Sequence, residues 1–252
     1  MNSLELESTV ASPIQTIGMS YYFDPATGEH GSKQGLNVFE FYGVGRGGVL
    51  GDVSSSDVQQ AFWFFHQSAI DSLWNSAVAK VDPITGAASH IEAAYNFADR
   101  VFGEIPESTL RGFADATRKV VDAVPQGRYA LVDGYAKFPV PLEAAHAAYL
   151  GTILLRELRG GVHIDTTREF AIEPNEACYV TNATIFKLHG YSDSDAPEVT
   201  DDLTARMAQA EAMTTQVMAS YLDVLSDTER VAMAQGVEAM NAAISNPPGA
   251  DK

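Results

Sequence analysis

One cysteine, Cys178, occurs in 252 residues. That excludes an internal disulfide and a cysteine-built zinc cage, and a lone thiol in apolar surroundings is more often packing than nucleophile. Positive charge is also scarce: 16 lysines and arginines face 33 acids, for a formal net charge of −17. Such a balance repels phosphate backbones unless the cations gather in one place. No basic cluster occurs, and Asp193 to Glu229 holds nine acids against a single base, Arg206. A nucleic-acid partner is therefore not expected. No apolar run approaches the ~18 residues of a membrane span. The opening "MNSLELESTVASPIQ" is acidic where a secretory signal is basic, so the chain reads as cytoplasmic with no membrane partner.

Period-two alternation is nearly missing, which leaves a mostly α fold, a multi-helix bundle. Catalytic signatures are missing as well. There is no H-E-x-x-H and no G-x-S-x-G, and "GVGRGG" at 43–48 has the spacing of neither common glycine-rich phosphate loop. Its glycines fit a tight turn that delivers Arg46. No metal and no cofactor are expected.

Apolar residues make up 46% of the chain, enough for a sizeable core. Residues 1–16 show no clear period and are expected as a flexible arm. Eight glycines between residues 20 and 55 break the next stretch into short pieces. "SSSDVQQAFWFFHQSAIDSLWNSAVAK" then reads as one aromatic-rich helix, and Ser89 can cap another through about Gly103. "PESTLRGFADATRKVVDAV" supplies a further helix, stopped by Pro125. "GRYALVDGYAKFPVPLEAA" is a connection, and the helix after it, about 141–159, is expected to stop at Gly160-Gly161 with a left-handed cap. Two short helices follow, the second from Pro174 to about His189. After the acidic loop 191–202 come a long amphipathic helix and a last one, 227 to about 244, which Ser226 and Glu229 start with a capping box. The tail 246–252 should fray. The expected division is thus arm 1–16, helical core 17–190, C-terminal helical region 191–245 and tail 246–252.

Chemistry concentrates in "RELRGGVHID", 156–165. Arg156 and Arg159 share a helix face, with Glu157 about 100° round from Arg156. The preceding "YLGTILL" is apolar on nearly every side, so these guanidiniums are partly buried and need partners. Glu157, Asp133, Asp165 and Glu143 are the candidate partners in a structural ion network. The alternative is a ligand site, because arginine's planar fork holds a carboxylate or phosphate through two hydrogen bonds. Arg46, Arg156, Glu157, Arg159, His163 and His66 are the candidate ligand-binding residues. For His66, within "FWFFHQ", a neutral, hydrogen-bonded core histidine is the more common outcome.

"YYFDP" at 21–25, "GRGGVLG" at 45–51 and "LRELRGGVH" at 155–163 resemble signature stretches of a largely uncharacterised actinobacterial helical family, whose C-terminal part is similar to a MarR-type winged helix-turn-helix. Its patterns G-R-x-x-x-L-G and L-R-E-x-R-G-x-x-H are both met here. The resemblance implies long C-terminal dimerisation helices, Leu203 to Ile244, and hence a homodimer. It also implies a degenerate winged-helix-like region, because "GYSDSDAPEVT" replaces the expected wing. Three functions follow. The first is a small-molecule-binding helical protein, whose aromatic cavity takes an apolar anion. The second is a MarR-like regulator that has lost its wing. The third is an enzyme using a His/Arg site, with His163 or His66 as acid or base.

Overall fold

A computed structural model of the chain describes residues 1–246, and the expected frayed tail lies almost wholly outside them. The described residues form thirteen α-helices and no strand. In chain order they are α1 Ser3–Met19, α2 Pro25–Ser32, α3 Val38–Gly47, α4 Ser55–Phe62, α5 Gln67–Val78, α6 Pro83–Phe102, α7 Glu107–Asp122, α8 Ala130–Tyr135, α9 Ala144–Glu169, α10 Pro174–Thr181, α11 Ala183–Leu188, α12 Asp201–Leu222 and α13 Asp227–Ser245. The mostly α bundle holds. Among these residues no helix is long and apolar enough to cross a membrane.

Helix α9 is the axis, because its sequence is apolar on nearly every side and such a helix must be covered all round. Helices α1, α6, α7, α8 and α12 pack against it. α13 closes the bundle across α1 and α7, and α3 lies between α5 and α6. One continuous core runs from Leu6 through Tyr149 and Leu158 to Met240. A second, smaller cluster joins Ile172 and Ala177 to Leu203 and Ala210, with Phe64 packed on it.

Several sequence expectations are corrected. Residues 1–16 are no arm but most of α1, started by an Asn2–Glu5 capping box. Leu6, Val10, Ile14 and Ile17 form a helical stripe that is buried in the core. The aromatic-rich helix is two, α4 and α5. The chain breaks at Trp63, whose φ of 37° lies outside the right-handed region, and His66 then caps α5. Asp82, with Pro83 behind it, starts α6 seven residues ahead of the expected Ser89. The connection after Pro125 contains α8. Of the two short helices expected after the 141–159 helix, the first is largely the end of α9, and the second, Pro174 to about His189, is split at Asn182 into α10 and α11.

The largest correction concerns Gly160-Gly161. α9 runs straight through both, for 26 residues. A Cβ on Gly161 would lie 2.5 Å from Cδ1 of Tyr129, so this glycine admits the tyrosine ring and does not end the helix. At the C-terminus the Ser226–Glu229 capping box forms as expected. The apolar faces of α12 and α13, from Leu203 to Leu222 and from Met233 to Met240, are buried within the chain's own bundle.

Candidate functional site: an arginine hollow on the central helix

The sequence places Arg46 of α3 and Glu157 of α9 111 positions apart, and the fold brings their side chains face to face. Arg46 Nε and Nη2 donate to the two Glu157 oxygens, each at 2.8 Å. Arg156 Nη1 donates to the same carboxylate at 2.9 Å and to the Tyr22 hydroxyl at 3.0 Å. The Arg46 guanidinium lies over the Phe62 ring, 4.2 Å from its centre, and also donates to the Tyr42 hydroxyl at 3.2 Å. Glu157 is only 2% exposed. Two guanidiniums thus share one buried carboxylate, which leaves the cluster one positive charge in excess. The Arg156 Nε–H is buried with no acceptor among the described residues.

Electrostatics follow from that arrangement. Burial alone would push the Glu157 carboxyl up, but Arg46 and Arg156 outweigh it and hold the group below its ordinary value. Burial would likewise weaken the hold of Arg46 on its proton, and the Glu157 charge overcomes this to raise it well above the usual arginine range.

One turn on, Arg159 Nε donates to Glu7 of α1 at 3.1 Å, and its Nη2 pairs with Glu211 of α12. Burial outweighs Arg159 at Glu7, whose carboxyl is raised. His163 Nδ1 meets the Thr214 hydroxyl at 3.1 Å, and its ring stacks on Phe64 at 5.8 Å. Its pKa is lowered by burial, against the pull of Glu211.

Of the six candidate residues, Arg46, Arg156, Arg159 and His163 line one hollow of about 230 Å3. Glu157 ties the first two together from beneath, and it faces a neighbouring cavity. His66 stands apart. Its Nδ1 bonds Ser68 as the α5 cap, and its ring meets Tyr191 edge-on at 5.4 Å. Of the chain's aromatics, Phe62 and Phe65 line the hollow, whereas Tyr21, Phe41, Trp74 and Tyr149 are buried core.

Sequence reasoning missed Tyr42, Phe64 and His189, which also line the hollow together with Gln15 and Ile164. His189 stacks on Phe65 at 4.0 Å, and burial, then Arg46, hold it down to about 4. It also missed Glu7 and Glu211 as partners. Asp133 and Asp165 lie elsewhere, taking the Gly127 N–H and Arg128 respectively. Cys178 donates to the Phe64 carbonyl, and burial pushes its thiol up to about 12, which silences it as a nucleophile.

A family model described as a helix-turn-helix family matches residues 7–246, from within α1 to the end of α13. The chain belongs to this helix-turn-helix family. No curated protein and no solved structure matches it.

The surface charge of this family member bears on what it can hold. Among the described residues, twelve of the chain's sixteen lysines and arginines lie within ion-pair distance of a carboxylate. Arg168 instead lies over Trp63, 5.2 Å from the ring centre.

Proposed function

We propose that this helix-turn-helix family member is a small-molecule-binding protein that takes an apolar anion in the arginine hollow. The observation that carries the reading is the sharing of Glu157 by Arg46 and Arg156. A buried positive charge in excess is costly on its own and is offset when an anion arrives. Tyr42, Arg156, Arg159 and His163 present N–H and O–H groups at the wall, and Phe62, Phe64 and Phe65 present rings, so a carboxylate attached to an apolar body matches both.

Thermal-shift and calorimetric titration with benzoate and aliphatic carboxylates tests this. A carboxylate should stabilise the wild type and fail to stabilise Arg156→Gln. If no carboxylate is bound, the anion reading is overturned.

The family match favours a second reading, a transcriptional regulator. Duplex binding needs a cationic face and falls steeply with salt. With most cations paired to acids, the expected result is no duplex shift even at low salt. Tight, salt-sensitive binding would instead establish the regulator. The homodimer is a separate expectation measured by light scattering, because α12 and α13 use their apolar faces inside the chain.

A further inference from the structure

Gly160 stands in the interior of α9, where glycine costs about 1 kcal/mol relative to alanine. Its neighbours explain themselves by packing: a Cβ at Gly161 would strike Tyr129 at 2.5 Å, and one at Gly151 would crowd Thr117 at 3.2 Å. A Cβ at Gly160 would meet nothing within 4 Å. The helix therefore gives up stability at this position with no packing contact to account for it. What the missing side chain leaves free is space.

That space lies between two hollows. The arginine hollow of about 230 Å3 has a larger neighbour of about 490 Å3, and Arg46, Gly160 and Ile164 form walls of both. Their chemistry differs. The smaller holds Arg156, Arg159 and His163. The larger has Leu50, Val53, Ala61 and Leu131 in its wall, with three acids, Asp57, Glu157 and Asp165, and three arginines, Arg46, Arg128 and Arg168, at its edges. Small-molecule sites commonly span ~300–1,000 Å3, so the arginine hollow is small for one and the pair together is not.

We propose that the ligand is an elongated monoanion, a long-chain aliphatic carboxylate. Its head is held at Arg156 in the smaller hollow, and its chain crosses the bare backbone of Gly160 into the larger one. This rests on the anion site proposed above and adds the shape of the ligand and the path of its chain. A compact aryl acid would fit within the arginine hollow and leave the larger one unfilled. Asp57, Glu157 and Asp165 balance Arg46, Arg128 and Arg168 around the larger hollow, so nothing there calls for a second negative end and the ligand carries one charge.

Calorimetric titration of the full chain with benzoate and with laurate tests this, using wild type, Gly160→Leu and Ala61→Phe. Gly160→Leu blocks the passage, and Ala61→Phe fills the larger hollow without touching α9, so the second variant serves if the first does not fold. Circular dichroism checks folding of each. Laurate affinity should fall about tenfold or more in either variant, the loss of roughly two buried methylenes at ~0.8 kcal/mol each. Benzoate affinity should change less than about twofold in Ala61→Phe, within ~0.4 kcal/mol. Gly160 also walls the arginine hollow, so the benzoate control is read on Ala61→Phe alone. Equal losses for both ligands in Ala61→Phe, or no loss for laurate in either variant, overturn the elongated path while leaving the anion site in place. Failure of wild type to bind either acid overturns the anion site itself.

Discussion

Glu157→Gln keeps the shape of the side chain and removes the one carboxylate that Arg46 and Arg156 share. Three guanidinium N–H groups donate to it at 2.8 to 2.9 Å, and the residue is buried. An amide offers one carbonyl oxygen and no charge, so at least one donor is orphaned and both arginines lose their counter-ion. Breaking a buried pair by removing one partner costs about 3–5 kcal/mol. For a chain of this length that lowers the melting temperature by on the order of 10 °C. Thermal and urea unfolding at pH 7, followed by circular dichroism, measures it. Because the folded Glu157 pKa lies below its ordinary 4.5, its contribution is complete above that value and is lost as pH falls through the lower folded value. The variant should therefore show a shallower acid limb below pH 4.5. A loss under about 1 kcal/mol at pH 7 would mean that water already reaches the cluster, and the excess-charge argument would fail with it.

Three further outcomes follow from particular contacts. His90 is buried against Tyr21, and burial, then His30, hold its pKa down to about 3 from 6.5. The unfolded chain takes up this proton first, so the urea midpoint should fall between pH 6.5 and 3, and less steeply in His90→Gln. His189 contributes to the same limb, which leaves part of it in place. Gly161→Ala should destabilise by about 1–3 kcal/mol through overpacking on Tyr129, read by urea unfolding, whereas Gly160→Ala should stabilise by up to about 1 kcal/mol through helix propensity. Equal effects at the two positions would refute the packing distinction between them. Ser226→Ala removes the cap acceptor of α13 and should cost about 1 kcal/mol in the same assay.

The helical class was legible because apolar spacing at three and four residues survives in α7, α12 and α13 whatever their neighbours. The course of α9 through Gly160-Gly161 was not. Paired glycines are ambiguous between a cap and a close approach, and only the Tyr129 ring, about thirty positions upstream, decides between them. Trp63 illustrates a different limit: nothing in "FWFFHQ" announces the positive φ at which α4 ends. At the site, local reasoning about buried charge correctly asked for acids near Arg156 and Arg159 and included Glu157 among them. It looked for the others nearby in sequence. Glu7 was overlooked because serine and threonine interrupt the α1 stripe and make it read as an arm, so the acid it carries inward was assigned to solvent.

The distribution of cations also governs how a ligand arrives. Three arginines sit in and around the hollow, while the outer lysines and arginines are largely neutralised by adjacent acids, so the long-range field of this molecule is that of its carboxylates. A negatively charged compound must climb that repulsion before it meets the guanidiniums. Electrolyte flattens the climb over a distance of ~8–10 Å and does much less to charges already enclosed. Uptake should accordingly quicken as sodium chloride is added, the reverse of electrostatically steered capture.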